Sequence, residues 1–384
     1  MELAYKADFE AARKRWRAFW VGDPLDRPPV RIEIQKPGVE PVEKPPYTSG
    51  KDGHFGPVID QLLAWADTHL FLGEAIPFYY LEFGPDHFST FLGADLHYNT
   101  ASGDTTWAVP FVEDYESTDI RFRPESLWWR RTVDFIHAIR ERCDGKLLIA
   151  APTFVASLDA LAAIRGVERL LFDLVEAPEQ VHAALEAVTR AYEAIAEAIR
   201  RELDVATWGS INRHGMYCDG LINVPQCDFS AMIGPEMFRA FEAPCLAREC
   251  AILDHAEYHL DGPDAIRHLE ALCEIDGIDI IQWVPGTGNE GRDWTWLYER
   301  IDALGKGQIL GGGRERIKQR WRAFRSRRLF FTTGAESPDD AERFLDELSG
   351  VVESASPHPD VGEGEGGRES GLIRRHSAAG PPPP

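Results

Sequence analysis

Ala256-Glu257-Tyr258-His259-Leu260-Asp261-Gly262-Pro263-Asp264 reads as a short strand, a glycine turn and the opening of a helix. Side chains alternate along a strand, so His259 and Asp261 share one side before Gly262 lets the chain turn. The helix expected over Asp264 to Cys273 leads to a second apolar run, Asp279 to Val284. A strand, a crossover helix and another strand form the repeating unit of a parallel sheet.

The same alternation extends in both directions. Strands are expected at Val30 to Ile34, Phe78 to Phe83, Leu147 to Pro152, Val205 to Ile211, Gln308 to Leu310 and Leu329 to Thr333. With the two above they supply the roughly eight strands of a (β/α)8 TIM barrel, the fold class this pattern indicates. Val181, Leu185, Val188, Tyr192, Ile195 and Ile199 recur at helical spacing and mark one buried helix face. Further helices are expected over Pro124 to Arg142, Pro235 to Cys250, Trp294 to Leu304 and Asp339 to Leu348, with Pro124 and Pro235 placed where a first helical turn tolerates proline. Residues 1–350 are thus expected to form one barrel domain with an N-terminal extension and an insertion near 35–56 that covers the mouth. Residues 351–384 lack Phe, Trp and Tyr and end in four prolines, so they are expected to be a disordered tail.

Composition narrows the function. A chain of 384 residues with 44% hydrophobic residues can bury a large core. A formal charge of -22 disfavours nucleic acid and anionic membrane surfaces, which leaves a small-molecule substrate as the expected partner. The N-terminus shows no signal-peptide core and no apolar run is long enough to span a bilayer, so a cytoplasmic location is expected. Six scattered cysteines without a CxxC pair read as reduced thiols. One stretch runs against the global charge: Arg314 to Arg328 holds eight Lys or Arg residues and one acid, and reads as a solvated helix face or a local anion site.

Barrel chemistry gathers at the C-terminal ends of the strands. His259 and Asp261 there can hold a metal through imidazole and carboxylate, or work as an acid/base pair, or serve as a core histidine and a helix cap. Trp208 to Cys218, rich in small residues around Arg213 and His214, leads to Gln226-Cys227-Asp228 and fits either a ligand pocket or an ordinary loop. Gln282-Trp283-Val284-Pro285-Gly286 and Gly311-Gly312-Gly313 end two later strands in turns that could meet an anion. His259, Asp261, Asp228 and His214 are the expected catalytic residues. Glu33, Trp208, Arg213, Tyr258, Gln282 and Trp283 are the expected lining of the cleft.

At these strand ends the chain resembles the uroporphyrinogen decarboxylase superfamily, which includes zinc-dependent corrinoid:thiol methyltransferases. The resemblance runs from Phe83-Gly84-Pro85-Asp86 to Glu336 and is carried by LFDLVEAPEQV at 171–181, DFSAMIGPEMF at 228–238, His259 to Gly262, and TGAESPDDA at 333–341. It implies a (β/α)8 barrel with a deep cleft, a divalent metal such as zinc, and a corrinoid methyl donor that a protein can carry. In the methyltransferase branch a His-x-Cys pair and a distant cysteine hold zinc. His259 matches the histidine, Asp261 stands at the first cysteine, and Thr332-Thr333-Gly334 replaces the second. The resemblance therefore implies an oxygen-rich metal set of His259, Asp261 and Glu336. The porphyrinogen-decarboxylating branch carries an arginine-bearing N-terminal stretch, whereas the first strand here places Arg31 and Glu33 on one side. The expected function is methyl transfer to a small molecule. Decarboxylation of a small or tetrapyrrolic acid, and a non-catalytic ligand-binding barrel, are the alternatives.

Overall fold

A computed structural model describes residues 2–23, 25–99 and 105–353. The protein is a mixed α/β fold around a mostly parallel sheet. Seven strands form one ladder in the spatial order His69–Gly73, Val30–Gln35, Leu329–Thr333, Gly307–Gly311, Ile278–Val284, His255–Asp261 and Ile222–Asn223. All neighbours are parallel except the first pair. Phe78–Tyr80 and Leu148–Ala150 form a separate parallel pair.

The expected barrel is met in part: among the described residues the hydrogen-bonded ladder does not close. His69–Gly73 runs antiparallel along the edge of Val30–Gln35 that Phe78–Tyr80 would otherwise occupy. At that break the Lys44 ammonium from the 36–54 loop lies 4.2 Å from the Phe78 ring centroid and 4.5 Å from that of Trp65. The second break is bridged by a side chain. Asn223 Oδ1 accepts from Phe154 N at 3.0 Å, and Asn223 Nδ2 donates to Pro152 O at 3.0 Å.

The helix predicted from Val181 to Ile199 is present over Pro178–Glu202 with all six periodic residues buried. The Val205 to Ile211 expectation is corrected: Val205–Trp208 is a helical turn after Asp204 at φ +54, and only Ser210–Ile211 is strand. The helix expected from Pro235 is interrupted by a π-helical turn at Phe238–Glu242, and the one expected from Asp264 begins as a 3₁₀ turn. The last helix runs Pro338–Glu353, beyond the expected boundary at 350, and the rest of the expected tail lies outside the described residues.

The N-terminal extension is a helix, Phe9–Val21, that buries Phe9, Trp16, Phe19 and Trp20. These rings pack with Phe78, Leu148, Ile222, Ile280 and Phe330. Each partner lies near the start of its strand, so the helix seals the N-terminal end of the barrel-like core. Trp20 stacks on His255 with ring centroids 4.0 Å apart and donates Nε1 to Tyr217 O at 2.8 Å. Apolar burial on this end leaves the opposite end to polar chemistry.

Candidate metal centre

The register of two strands builds the first half of the site. His259 pairs with Gln282 and Asp261 with Val284 across the parallel ladder, so the His259 and Gln282 side chains project together. His259 Nδ1 is hydrogen-bonded to Gln282 Oε1. With the amide oxygen as acceptor, the ring proton sits on Nδ1 and Nε2 presents its lone pair. Gly262, at φ +77, then turns the chain away.

Segment 225–228 supplies the second half. His259 N donates to Pro225 O at 3.0 Å, which draws this segment alongside the strand end. The Asp159 carboxylate accepts from the amides of Asp228 and Phe229, both at 2.8 Å, and fixes the Asp228 backbone. One ligand atom each from Asp228, His259 and Asp261 then falls within 4.8 Å of the others. Asp228 opens to solvent while His259 and Asp261 are half-buried.

Electrostatics fit a cation. Burial, followed by the neighbouring Arg213 charge, lowers the His259 pKa to about 4, so the ring is neutral as a ligand requires. Burial raises the Asp261 carboxyl, and burial plus the charge of Asp261 raises Asp228. Asp261 Oδ1 is buried without a hydrogen-bond partner. Two carboxylates that oppose each other's ionisation, one orphaned oxygen and a neutral imidazole with a free lone pair match a divalent ion's donor set. Their oxygen-rich character suits Zn2+ or Mn2+. Gln282 is the outer partner that orients the imidazole, so Gln282→Leu is expected to weaken Zn2+ binding about 10–100-fold, measured by competition with a chelating dye.

Arg213 ties the metal corner to the wall. Its Nη2 donates to Gln226 Oε1 at 3.2 Å and its Nη1 to Thr153 Oγ1 at 3.3 Å. Gln226 Nε2 donates onward to Asp228 Oδ2 at 3.3 Å, and Tyr80 OH meets Thr153 Oγ1 at 2.8 Å. His214 stands on a second carboxylate: its Nδ1 is 2.6 Å from Glu257 Oε1, out of line for a hydrogen bond. Glu257 is fully buried, and Asn212 Nδ2 donates to its Oε2 at 2.5 Å. Glu33 pairs with Arg31 at 3.1 Å, and Arg31 Nη1 donates to His214 O at 3.4 Å.

Neither a protein-family model nor a curated protein matches this sequence. Among solved structures, a methyltransferase from Methanosarcina mazei superposes with a TM-score of 0.56 at 13% identity, over 89% of this chain and 99% of that one. The likeness is one of fold.

The structure brings together His259, Asp261, Asp228, Arg213 and Gln282, with His214 beside them, and leaves four expected residues elsewhere. Glu336 is exposed on a shelf with Arg314 and Asp340, and in its place Asp228 is the third side chain gathered with His259 and Asp261. Tyr258 is buried on the outward face of its strand, because alternation that turns His259 inward turns Tyr258 into the helix layer. Trp283, paired with Leu260, faces the same layer and packs edge-on to Trp294 at 4.9 Å. Trp208 precedes its strand instead of ending it, and lines a crevice of about 30 Å³ with Ile139 and Leu203.

Sequence reading assigned no role to Glu82, Asp159 or Glu257. Glu82 follows Phe78–Tyr80 at the end of its apolar run, the position where polar residues were sought, so its signal was present. It is buried, with one oxygen unpartnered, and burial pushes its pKa up to about 8 despite Arg213. A carboxyl raised from about 4.5 in the unfolded chain contributes stability fully below that pH, which is lost as pH rises towards 8. Glu82→Gln is accordingly expected to gain stability relative to the parent at pH 9 compared with pH 5, in urea unfolding at the two pH values.

Proposed function

We propose that this chain is a metal-dependent, methyltransferase-like enzyme of the uroporphyrinogen decarboxylase superfamily, with a (β/α)8 barrel and a small-molecule acceptor. The carrying observation is the Asp228–His259–Asp261 group at the C-terminal strand ends, with Arg213 and His214 beside it. The sequence motifs quoted above and the shared fold with a methyltransferase support the same reading. A corrinoid, free or carried on a protein, is the donor this reading implies.

Asp228, His259 and Asp261 would hold the ion. A divalent metal here would act as a Lewis acid that makes a bound acceptor nucleophilic near neutral pH. The protein's own groups perform the rest. Gln282 fixes the imidazole, and Asp159 fixes the Asp228 backbone. His214, with its Nδ1 against Glu257, would take a proton from the acceptor at its Nε2. Arg213 balances the two carboxylates from the side. Because acids surround that guanidinium, it is poorly suited to clamp a substrate carboxylate, which weighs against decarboxylation.

The test is methyl transfer from methylcobalamin to small thiols and amines with Zn2+, Mn2+ or no metal. Metal-stimulated transfer that falls with His214→Ala supports the reading. Turnover indifferent to metal, or metal binding with no methyl transfer to any acceptor, rejects it.

A further inference from the structure

Behind Asp228 lie two buried acids that the proposed chemistry does not use. Glu242 and Glu249 are 0% and 1% exposed, on the stretch that begins with the π-helical turn Phe238–Glu242 and continues as the helix Ala243–Ile252. Both meet the first residues of the helix Ser157–Arg165. Ser157 Oγ donates to Glu249 Oε1, and Leu158 N donates to Glu242 Oε2 at 3.1 Å. The next residue is Asp159, which holds the amides of Asp228 and Phe229.

Two backbone irregularities meet at this junction. Ser157 adopts φ +46, a left-handed conformation that strains a non-glycine residue and persists only when its surroundings enforce it. The π turn inserts one extra residue per turn just where Glu242 points inward, and such turns recur at functional sites. No cation balances either acid among the described residues. The groups facing them are Ser157 and Asp159 from one helix, Tyr192 from Pro178–Glu202, Cys227 from the segment before Asp228, Tyr258 from its strand, and Cys245 and Cys250 from their own helix. Arg248, on that helix, is engaged by Glu186 and Glu193. Glu242 Oε1 is buried without a geometric hydrogen bond, with the Cys227 thiol lying against the carboxyl.

We propose that Asp159, Glu242 and Glu249 form a positioning layer for the metal centre, in which the two glutamates, as hydrogen-bond acceptors for Ser157 and Leu158, enforce the strained 157–159 turn and Asp159 passes that constraint to Asp228. Burial pushes both glutamates up, Glu249 to about 7, in agreement with the missing cations. The layer links three consecutive residues at one helix start to two acids behind and two amides in front. It explains why a strained serine and a π turn face each other across a distance from the reacting groups. The inference rests on the metal-centre reading for its consequence, but its geometry can be tested without metal.

The test uses the full chain and four variants, with two readouts. Amide hydrogen exchange at Asp228 and Phe229 reports the layer directly, and Co2+ titration with its visible absorption reports the ligand geometry. Asp159→Asn keeps one acceptor oxygen of two, and is expected to lower amide protection at least about tenfold, weaken Co2+ binding about 10–100-fold and alter the band. Glu249→Gln and Glu242→Gln keep one acceptor oxygen each, all that Ser157 and Leu158 require, and are expected to match the parent in both readouts. Glu249→Leu, which removes the acceptor for Ser157, is expected to behave like Asp159→Asn. Parental amide protection in Asp159→Asn, or a glutamine variant as impaired as Glu249→Leu, overturns the proposal. If the parent binds no Co2+, the metal reading fails, while the exchange data still decide the layer.

Discussion

Replacing His259 by alanine is expected to abolish stoichiometric uptake of a divalent metal and with it turnover. The imidazole is the single nitrogen donor in the Asp228–His259–Asp261 group, and without it two mutually repelling carboxylates remain beside Arg213. The loss in Zn2+ affinity should exceed the about 10–100-fold expected for its outer partner Gln282. Metal content after dialysis, together with competition titration, measures it. The same variant should change the acid limb of stability. In the parent, His259 titrates near pH 4 when folded and near 6.5 when unfolded, so the unfolded chain alone takes up the proton between those values. Stability therefore falls as pH drops through that window, and the slope should be shallower in His259→Ala. A variant that binds metal as the parent does would remove His259 from the centre.

The second large effect is on folding. Trp16 is fully buried at the sealed end, with ring centroids 5.3 Å from Phe19, 6.2 Å from Trp20 and 5.0 Å from Phe330. Truncation to alanine leaves a cavity that rigid strand starts cannot fill, and should cost about 3–5 kcal/mol in urea unfolding. Trp16→Phe should cost much less, because it keeps most ring contacts and removes an indole N–H that has no acceptor. A loss below about 1 kcal/mol for alanine, within the range of ordinary surface substitutions plus error, would mean that the helix does not seal the core.

How far the sequence revealed all this depended on the range of each signal. The Pro178–Glu202 helix was legible because its apolar residues recur over many turns, and the strand ending in Asp261 because an apolar run meets a glycine turn. His259 and Asp261 were recognisable as a pair from two-residue alternation. The same alternation places Tyr258 and Trp283 outside the cleft, so these two misplacements were avoidable. The grouping of Asp228 with His259 and Asp261, and the separation of Glu336 from them, depend on where a loop between strands folds back. That is set by Asp159, far away in the chain, and local spacing carries no trace of it. The antiparallel His69–Gly73 strand escaped notice because it follows a helix directly, without a turn signal. The Phe9–Val21 helix carries its apolar residues among many charges, which masks a face that tertiary packing reveals.

The tryptophan plug contributed by Phe9–Val21 also decides from which side the polar group can be reached. With rings filling the N-terminal end of the core, a small molecule meets Asp228, His259 and Asp261 from the opposite end. A substitution that loosens the plug would therefore admit water from behind the group without touching any of its three side chains.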